Sequence, residues 1–238
     1  MKKIFSFALL LPLMAVLSVS CDKVKGEGEV VSETRSVTNY TGISLSLDGE
    51  VYYTPDTVYS LQISAQQAVL DVIENPVENG RLVLKYKSGK VIGPHETVVV
   101  HVRAPSLGSF VVNGSGNIHC DPLWPVSRVD LDISGSGNLY LNQITANDVY
   151  ANISGSGNME VTRGSAGYAQ YKISGSGRMN FSGMPVDTAY AIISGSGNMD
   201  INVLKLLDAT ISGSGNIGYY GTPAVNLHIS GSGNVRKL

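Results

Sequence analysis

The chain is poor in charge, in aromatic residues and in cysteine, and each shortage excludes something. Only 15% of its 238 residues are charged and the formal net charge is −2, so it lacks the basic footprint of a nucleic-acid-binding protein. Its two cysteines, Cys21 and Cys120, cannot form a disulfide framework and are too few for a structural zinc site. The 27 glycines follow no Gly-X-Y period, which excludes a collagen helix. What is present, 43% hydrophobic residues, suffices for a buried core and excludes intrinsic disorder.

The first residues read as an export signal. Lys2 and Lys3 precede a mostly apolar stretch from Ile4 to Leu17, which ends in Ser18-Val19-Ser20-Cys21, the order of a signal peptide. The segment Leu17-Ser18-Val19-Ser20-Cys21 resembles a bacterial lipobox, although its leucine lies one place further from the cysteine than usual. That resemblance implies that residues 1–20 are removed and that Cys21 is acylated, with enough buried CH₂ groups for stable anchoring. Residues 21–35 are polar and without apolar period, which predicts a flexible tether.

Self-similarity dominates the rest. A unit Ser-Gly-Ser-Gly-Asn recurs with its first glycine at Gly114, Gly135, Gly155, Gly175, Gly195, Gly213 and Gly231, at steps of 21, 20, 20, 20, 18 and 18 residues. Asn113 replaces one serine and Arg178 one asparagine. A flexible Gly/Ser linker would have featureless flanks. Here Val112, Ile133, Ile153, Ile173, Ile193, Ile211 and Ile229 stand just before the unit, and Ile118, Leu139, Met159, Met179, Met199, Ile217 and Val235 just after it. Further apolar columns follow at a spacing of two, the pattern of strands with one buried face. A unit of this size cannot bury its apolar face alone and must stack on its neighbours. The prediction for residues 111–238 is therefore an all-β fold, a right-handed parallel β-helix (solenoid) with rungs of about 18–21 residues, the hand following from strand twist. At about 4.8 Å per rung the seven copies make a rod on the order of 34 Å long. Glycine suits the sharp corner, and the asparagines are expected to take left-handed backbone there. Asn117, Asn138, Asn158, Asn198, Asn216 and Asn234 would form a ladder of side-chain amides along the axis, interrupted by Arg178.

Residues 36–110 carry shorter period-two stretches, at Ile43–Leu47, Val51–Tyr53, Tyr59–Ile63, Leu82–Tyr86 and Val98–Val102, separated by turn signals such as Asn79-Gly80. Gln66 to Ile73 is the one good helix candidate. Because Leu45-Ser46-Leu47-Asp48-Gly49-Glu50-Val51-Tyr52-Tyr53 looks like a worn copy of the repeat, these residues are expected to begin the same solenoid, a small antiparallel domain being the alternative.

Four features taken together resemble the bacterial family called putative auto-transporter adhesin, head GIN domain. They are Arg35-Ser36-Val37 with Tyr40 and Ile43, Val77-Glu78-Asn79-Gly80-Arg81-Leu82-Val83-Leu84, Val102-Arg103-Ala104-Pro105-Ser106-Leu107, and the Gly-Ser-Gly-Asn repeats. The resemblance covers residues 35–238 and implies a β-helix in the cell envelope, with no established catalytic residues to carry over. With the lipobox it implies a lipid-anchored protein, expected at the outer membrane, on either its periplasmic or its outer face.

Catalytic and metal chemistry finds little support. Gly213-Ser214-Gly215-Asn216-Ile217-Gly218 matches a dinucleotide fingerprint by letter, but it is one repeat among seven with no following helix. Calcium-binding solenoids repeat every nine residues and place aspartate where asparagine stands here. Alternation turns Cys120 inward and His119 outward, so these two and Asp121 cannot share a metal, and Cys120 is read as a small buried hydrophobe. His95, His101, His119 and His228 have no recurring acidic or serine partner. Asp130, Asp132 and Asp148 beside Arg128 are the only acidic cluster suited to a carbohydrate-active enzyme, a polysaccharide lyase or hydrolase, and solvated surface acids explain them at least as well. The leading expectation is a binding, adhesive or structural module without catalysis, cofactor or metal. Its partners would be the membrane through the N-terminal lipid and a glycan or envelope protein, with no nucleic acid. Tyr140, Tyr150, Tyr168 and Tyr190 are the candidate ligand surface. The final copy, Ser230 to Asn234, has no cap after it, which suggests a weak homo-oligomer.

Overall fold

A computed structural model of the protein describes residues 23–238. Its heart is a parallel stack of nearly identical rungs. The strands Asn138–Gly155, Asn158–Gly175, Arg178–Gly195 and Asn198–Gly213 each pair in parallel with the next. Their register puts Leu139 on Met159 on Met179 on Met199 and Ile153 on Ile173 on Ile193 on Ile211. Like sits on like because the side-chain period of two fixes which residues face inward, and both columns are buried. The whole forms a β-solenoid of about six turns.

The corner explains the repeat. At Gly135 φ is +135°, a conformation nearly closed to residues with a Cβ. A Cβ there would also strike the carbonyl oxygen of Gly114 one rung below. That oxygen accepts hydrogen bonds from the backbone N–H groups of Ser136 (2.9 Å) and Gly137 (2.8 Å), so it cannot retreat. The second glycine is needed for space alone: at Gly137 a Cβ would meet Val112 Cγ1 at 2.6 Å and the carbonyl oxygen of Gly116. Contrary to the expectation from the sequence, the asparagines of the repeat do not take left-handed backbone. Among the described residues only Asn39 and Asn79 are non-glycine residues with positive φ. The first glycine alone makes the bend, and each asparagine already begins the next strand.

The 18-residue steps leave a visible mark. Where the rung from Arg178 meets the shorter one from Asn198, the register shifts between Phe181 and Pro185 and again between Val186 and Thr188. Of the residues skipped between Phe181 and Pro185, Gly183 is exposed while Met184 is buried in the core, and the irregularity is held by the Ser182 hydroxyl donating to Asn180 Oδ1 (2.8 Å) and by Asn202 Nδ2 donating to the Ser182 carbonyl (3.2 Å).

Residues 42–55 make a further rung. Gly42–Ser46 pairs with Ser109–Gly114 and Gly49–Pro55 with Asn117–Cys120, both in parallel, placing Leu45 on Val112 and Glu50 on Asn117. The stacking order is not the chain order. Arg81–Tyr86 and Val98–Ala104 pair in parallel with the other edge of that same rung, so residues 81–104 lie outside 42–55, and the chain then returns to build 109–120 on the inner side. Antiparallel strands finish this end: Ser60–Gln66 on Val98–Ala104, and Val30–Arg35 on Ser60–Gln66. The expected tether is thus structured in part. Lys23–Val24 pairs with Val91–Ile92, and Val30–Arg35 satisfies the open backbone edge of Ser60–Gln66. Arg35 secures it by donating to the carbonyls of Leu70 (2.9 Å) and Ile73 (2.8 Å) and to Asn75 Oδ1 (2.8 Å), around the short helix Gln67–Leu70. The expected signal peptide and its Cys21 acylation site lie outside the described residues.

At the other end Ala224–Gly231 and Asn234–Lys237 form the last rung. Leu227 and Ile229 occupy columns that are internal elsewhere, yet they are 48% and 43% exposed.

Candidate functional site

In-register stacking turns every outward column into a row along the axis, and two rows carry aromatic rings. On the face that follows the corner, His101, Tyr52, His119 and Tyr140 occupy equivalent positions on four successive rungs. Their rings stack at centroid distances of 5.4, 4.9 and 5.0 Å with interplanar angles of 22°, 13° and 17°, close to the rung spacing that backbone pairing imposes. Tyr52 and His101 were not legible as members of this row, because the order of the first rungs departs from the order of the chain.

Glu50 anchors the row. It stands where later rungs have asparagine, and it takes a hydrogen bond from Asn117 Nδ2 (2.6 Å) while its other oxygen lies 2.7 Å from His119 Nε2. His119 therefore has an acidic partner, and His95 lies 3.4 Å from Asp48, both against the sequence reading. The signal for Glu50 was its place in the worn repeat. From Asn117 upward, Asn117 Oδ1 accepts from the backbone N–H (3.1 Å) and Nδ2 (2.7 Å) of Asn138, and Asn138 Oδ1 accepts from the same two groups of Asn158 (3.2 and 2.7 Å). Arg178 follows, then Asn216 Nδ2 donates to Asn198 Oδ1 (3.0 Å). Among the described residues Asn234 carries no such amide bond. Beside the rings is a groove of about 310 Å³, lined among others by Thr54, His119, Asp121, Tyr140, Asn142, Glu160 and Thr162. Thr54 donates its hydroxyl to Asp121 Oδ2 (2.7 Å).

The strand before the corner carries the other row. Arg128 makes a bidentate pair with Asp130 (2.6–3.0 Å) and lies 4.0 Å over the Tyr150 ring. Tyr150 and Tyr190 share a column with Gln170 between them, Tyr168 stands in the adjacent column, and the three rings meet in a zigzag at 5.9 and 5.7 Å, tilted by 51° and 43°. The four candidate tyrosines are thus divided, with Tyr140 on one face and the other three together on another. A groove of about 290 Å³ is lined here by Asp130, Asp132, Tyr150, Asn152, Gln170 and Lys172 among others. Burial raises the Asp132 carboxyl above the usual range, partly offset by the Asn152 amide, which donates to it at 3.4 Å. Asp148 sits in the column of Tyr168, outside that groove's lining, so the three acids are not one constellation.

Cys120 points into the core, where desolvation holds its thiol well above the ordinary value, while His119 faces out. Among the described residues no group of three or more His, Cys, Asp or Glu is arranged to hold a metal ion.

The class this fold defines is a β-solenoid with repeating rungs and polar-aromatic outer rows. Residues 39–223 match the family described as putative auto-transporter adhesin, head GIN domain, and the chain belongs to that family. Solved structures share the fold. A putative adhesin from Bacteroides fragilis superposes with a TM-score of 0.83 at 22% identity, covering 90% of this chain and 100% of that one. A putative lipid binding protein from Parabacteroides distasonis gives 0.76 at 22% identity, with 91% and 100% covered. A putative adhesin from the same organism gives 0.69 at 24% identity, with the same coverage. No curated protein matches the chain. An adhesin-like family points to association with the cell envelope, and among the described residues no helix is long and apolar enough to cross a membrane.

Proposed function

We propose that the protein is a lipid-anchored module of the cell envelope, held at the outer membrane by acylated Cys21, that binds a glycan or an envelope protein without catalysing a reaction. The observation that supports this most is the pair of aromatic rows, Tyr140 with its stacked partners on one face and Tyr150, Tyr168 and Tyr190 on another. Rings held on a rigid sheet give contact area at small entropic cost, and their hydroxyls supply directional bonds. The order of the N-terminal segment, Lys2-Lys3, apolar stretch, Ser20-Cys21, supports the anchor. Leu227 and Ile229, exposed on a rung that among the described residues is paired on one side only, support a weak homo-oligomer through that edge, since such an edge is a template for another chain.

A second reading, a carbohydrate-active enzyme, draws on Asp130 and Asp132 in the groove beside Tyr150. It is weakened by Arg128, which already engages Asp130.

The test is an array of glycans and purified envelope proteins probed with the mature chain, residues 21–238. Retention of a ligand that is recovered intact supports the binding module. Shortened glycan products would favour the enzyme. For the anchor, Cys21→Ala should move the protein out of the membrane fraction, and an unchanged distribution would refute lipidation as its attachment.

A further inference from the structure

We propose that the groove running beside the ring stack, from Tyr52 to Glu160, is a binding site for an uncharged glycan. This deepens the binding-module reading and rests on it. Within the stack each ring covers the face of its neighbour, because the rings are nearly parallel at about one rung's spacing. Interior ring faces are therefore closed to any ligand. The stack stops at Tyr140, whose neighbour one rung on is Glu160, an exposed side chain. The groove of about 310 Å³ runs along the side of the stack, where Tyr52, His119 and Tyr140 present their edges beside Thr54, Asp121, Asn142, Glu160 and Thr162.

The chemistry of that lining selects the ligand. The ring edges give apolar contact for the C–H groups of a sugar, and carboxylates, an amide and hydroxyls beside them match the mixed donors and acceptors of its hydroxyls. One oxygen of Asp121 is held by Thr54, which fixes the carboxylate and leaves its other oxygen for a ligand. No lysine or arginine lines the groove, while Asp121 and Glu160 do, so a sugar acid or sulfate would meet like charge without compensation. A peptide is disfavoured because the backbone of these strands is paired on both sides within the stack, which leaves no free edge for strand addition.

The mature chain, residues 21–238, which holds every strand described, is tested on an array of uncharged and uronate-containing glycans. Bound glycans are then titrated against variants whose thermal melts match the wild type. The expected result is binding of at least one uncharged glycan in preference to its uronate analogue. Tyr140→Ala should weaken it roughly tenfold or more, with rescue by Tyr140→Phe. Glu160→Lys, a change at an exposed position, should weaken it similarly, whereas Lys205→Ala, exposed and far along the stack, should leave it unchanged; Tyr150→Ala and Tyr190→Ala report on the other row. Wild-type affinity in both Tyr140→Ala and Glu160→Lys, or no uncharged glycan bound, overturns the proposal. If binding is instead lost in the Tyr150 and Tyr190 variants, this groove fails and the binding-module reading stands. If no glycan or envelope protein binds at all, both fail.

Discussion

At the scale of single residues, two positions separate what the repeat requires from what it tolerates. Gly155 combines a φ of +136° with a Cβ position that collides with the Gly135 carbonyl. Gly155→Ala should therefore cost on the order of 3 kcal/mol, a fall in melting temperature of roughly 6–12 °C for a chain of this size. A melt within 2 °C or so of the wild type would show that the corner relaxes freely. Tyr171 is the opposite case. Its ring packs edge-on against Phe181 at 5.1 Å, but its hydroxyl is buried with no hydrogen-bond partner, an arrangement that costs about 1–3 kcal/mol. Tyr171→Phe removes the orphan and keeps the ring, so calorimetry should find the melting temperature unchanged or raised. A clear loss of stability would mean that the hydroxyl has a partner, such as a trapped water. The asparagines carry a lesson of the same kind: their recurrence pointed to a structural position, yet the amide bonds between rungs and not the backbone conformation distinguish them.

At the scale of elements, the regular rungs were legible because Ile, Met and Leu columns repeat at a fixed spacing and each rung can only stack on its likeness. The change of step from 20 to 18 residues was also written in the sequence, and it appears as the register shifts around Phe181 and Val186. The first hundred residues were only half legible. The worn copy ending in Glu50-Val51-Tyr52-Tyr53 found its place, but nothing local says that residues 81–104 pack outside it, since parallel strands far apart in sequence leave no turn signature. The strand Val30–Arg35 was missed for a related reason: it is exposed and polar, and what orders it is the edge of Ser60–Gln66 and the grip of Arg35. Removing that grip should loosen this end alone. In Arg35→Ala, amide hydrogen exchange should accelerate across residues 30–35 and 60–75 while Asn138–Gly213 keeps its protection, as expected where stability is nearly local to neighbouring rungs. Uniform acceleration along the whole solenoid would contradict that localisation.

For the whole molecule, the same stacking that buries the core aligns the outer side chains into rows, so architecture and recognition surface share one cause. Of the candidate surface, the four tyrosines were readable as outward residues. Their division between two faces, and the recruitment of Tyr52, His101 and Glu50 to one of them, were not, because both depend on where the rung bends and on the non-sequential first rungs. The central claim is that these rows bind a ligand, and it can be tested with one comparison. Residues 21–238 and their Tyr140→Ala, Tyr150→Ala, Tyr168→Ala, Tyr190→Ala quadruple variant, shown by circular dichroism to keep the same strand content, are presented to the same array of glycans and purified envelope proteins. The account predicts that the wild type retains at least one ligand and that the quadruple variant loses it. Equal retention by both chains, or none by either, would contradict it.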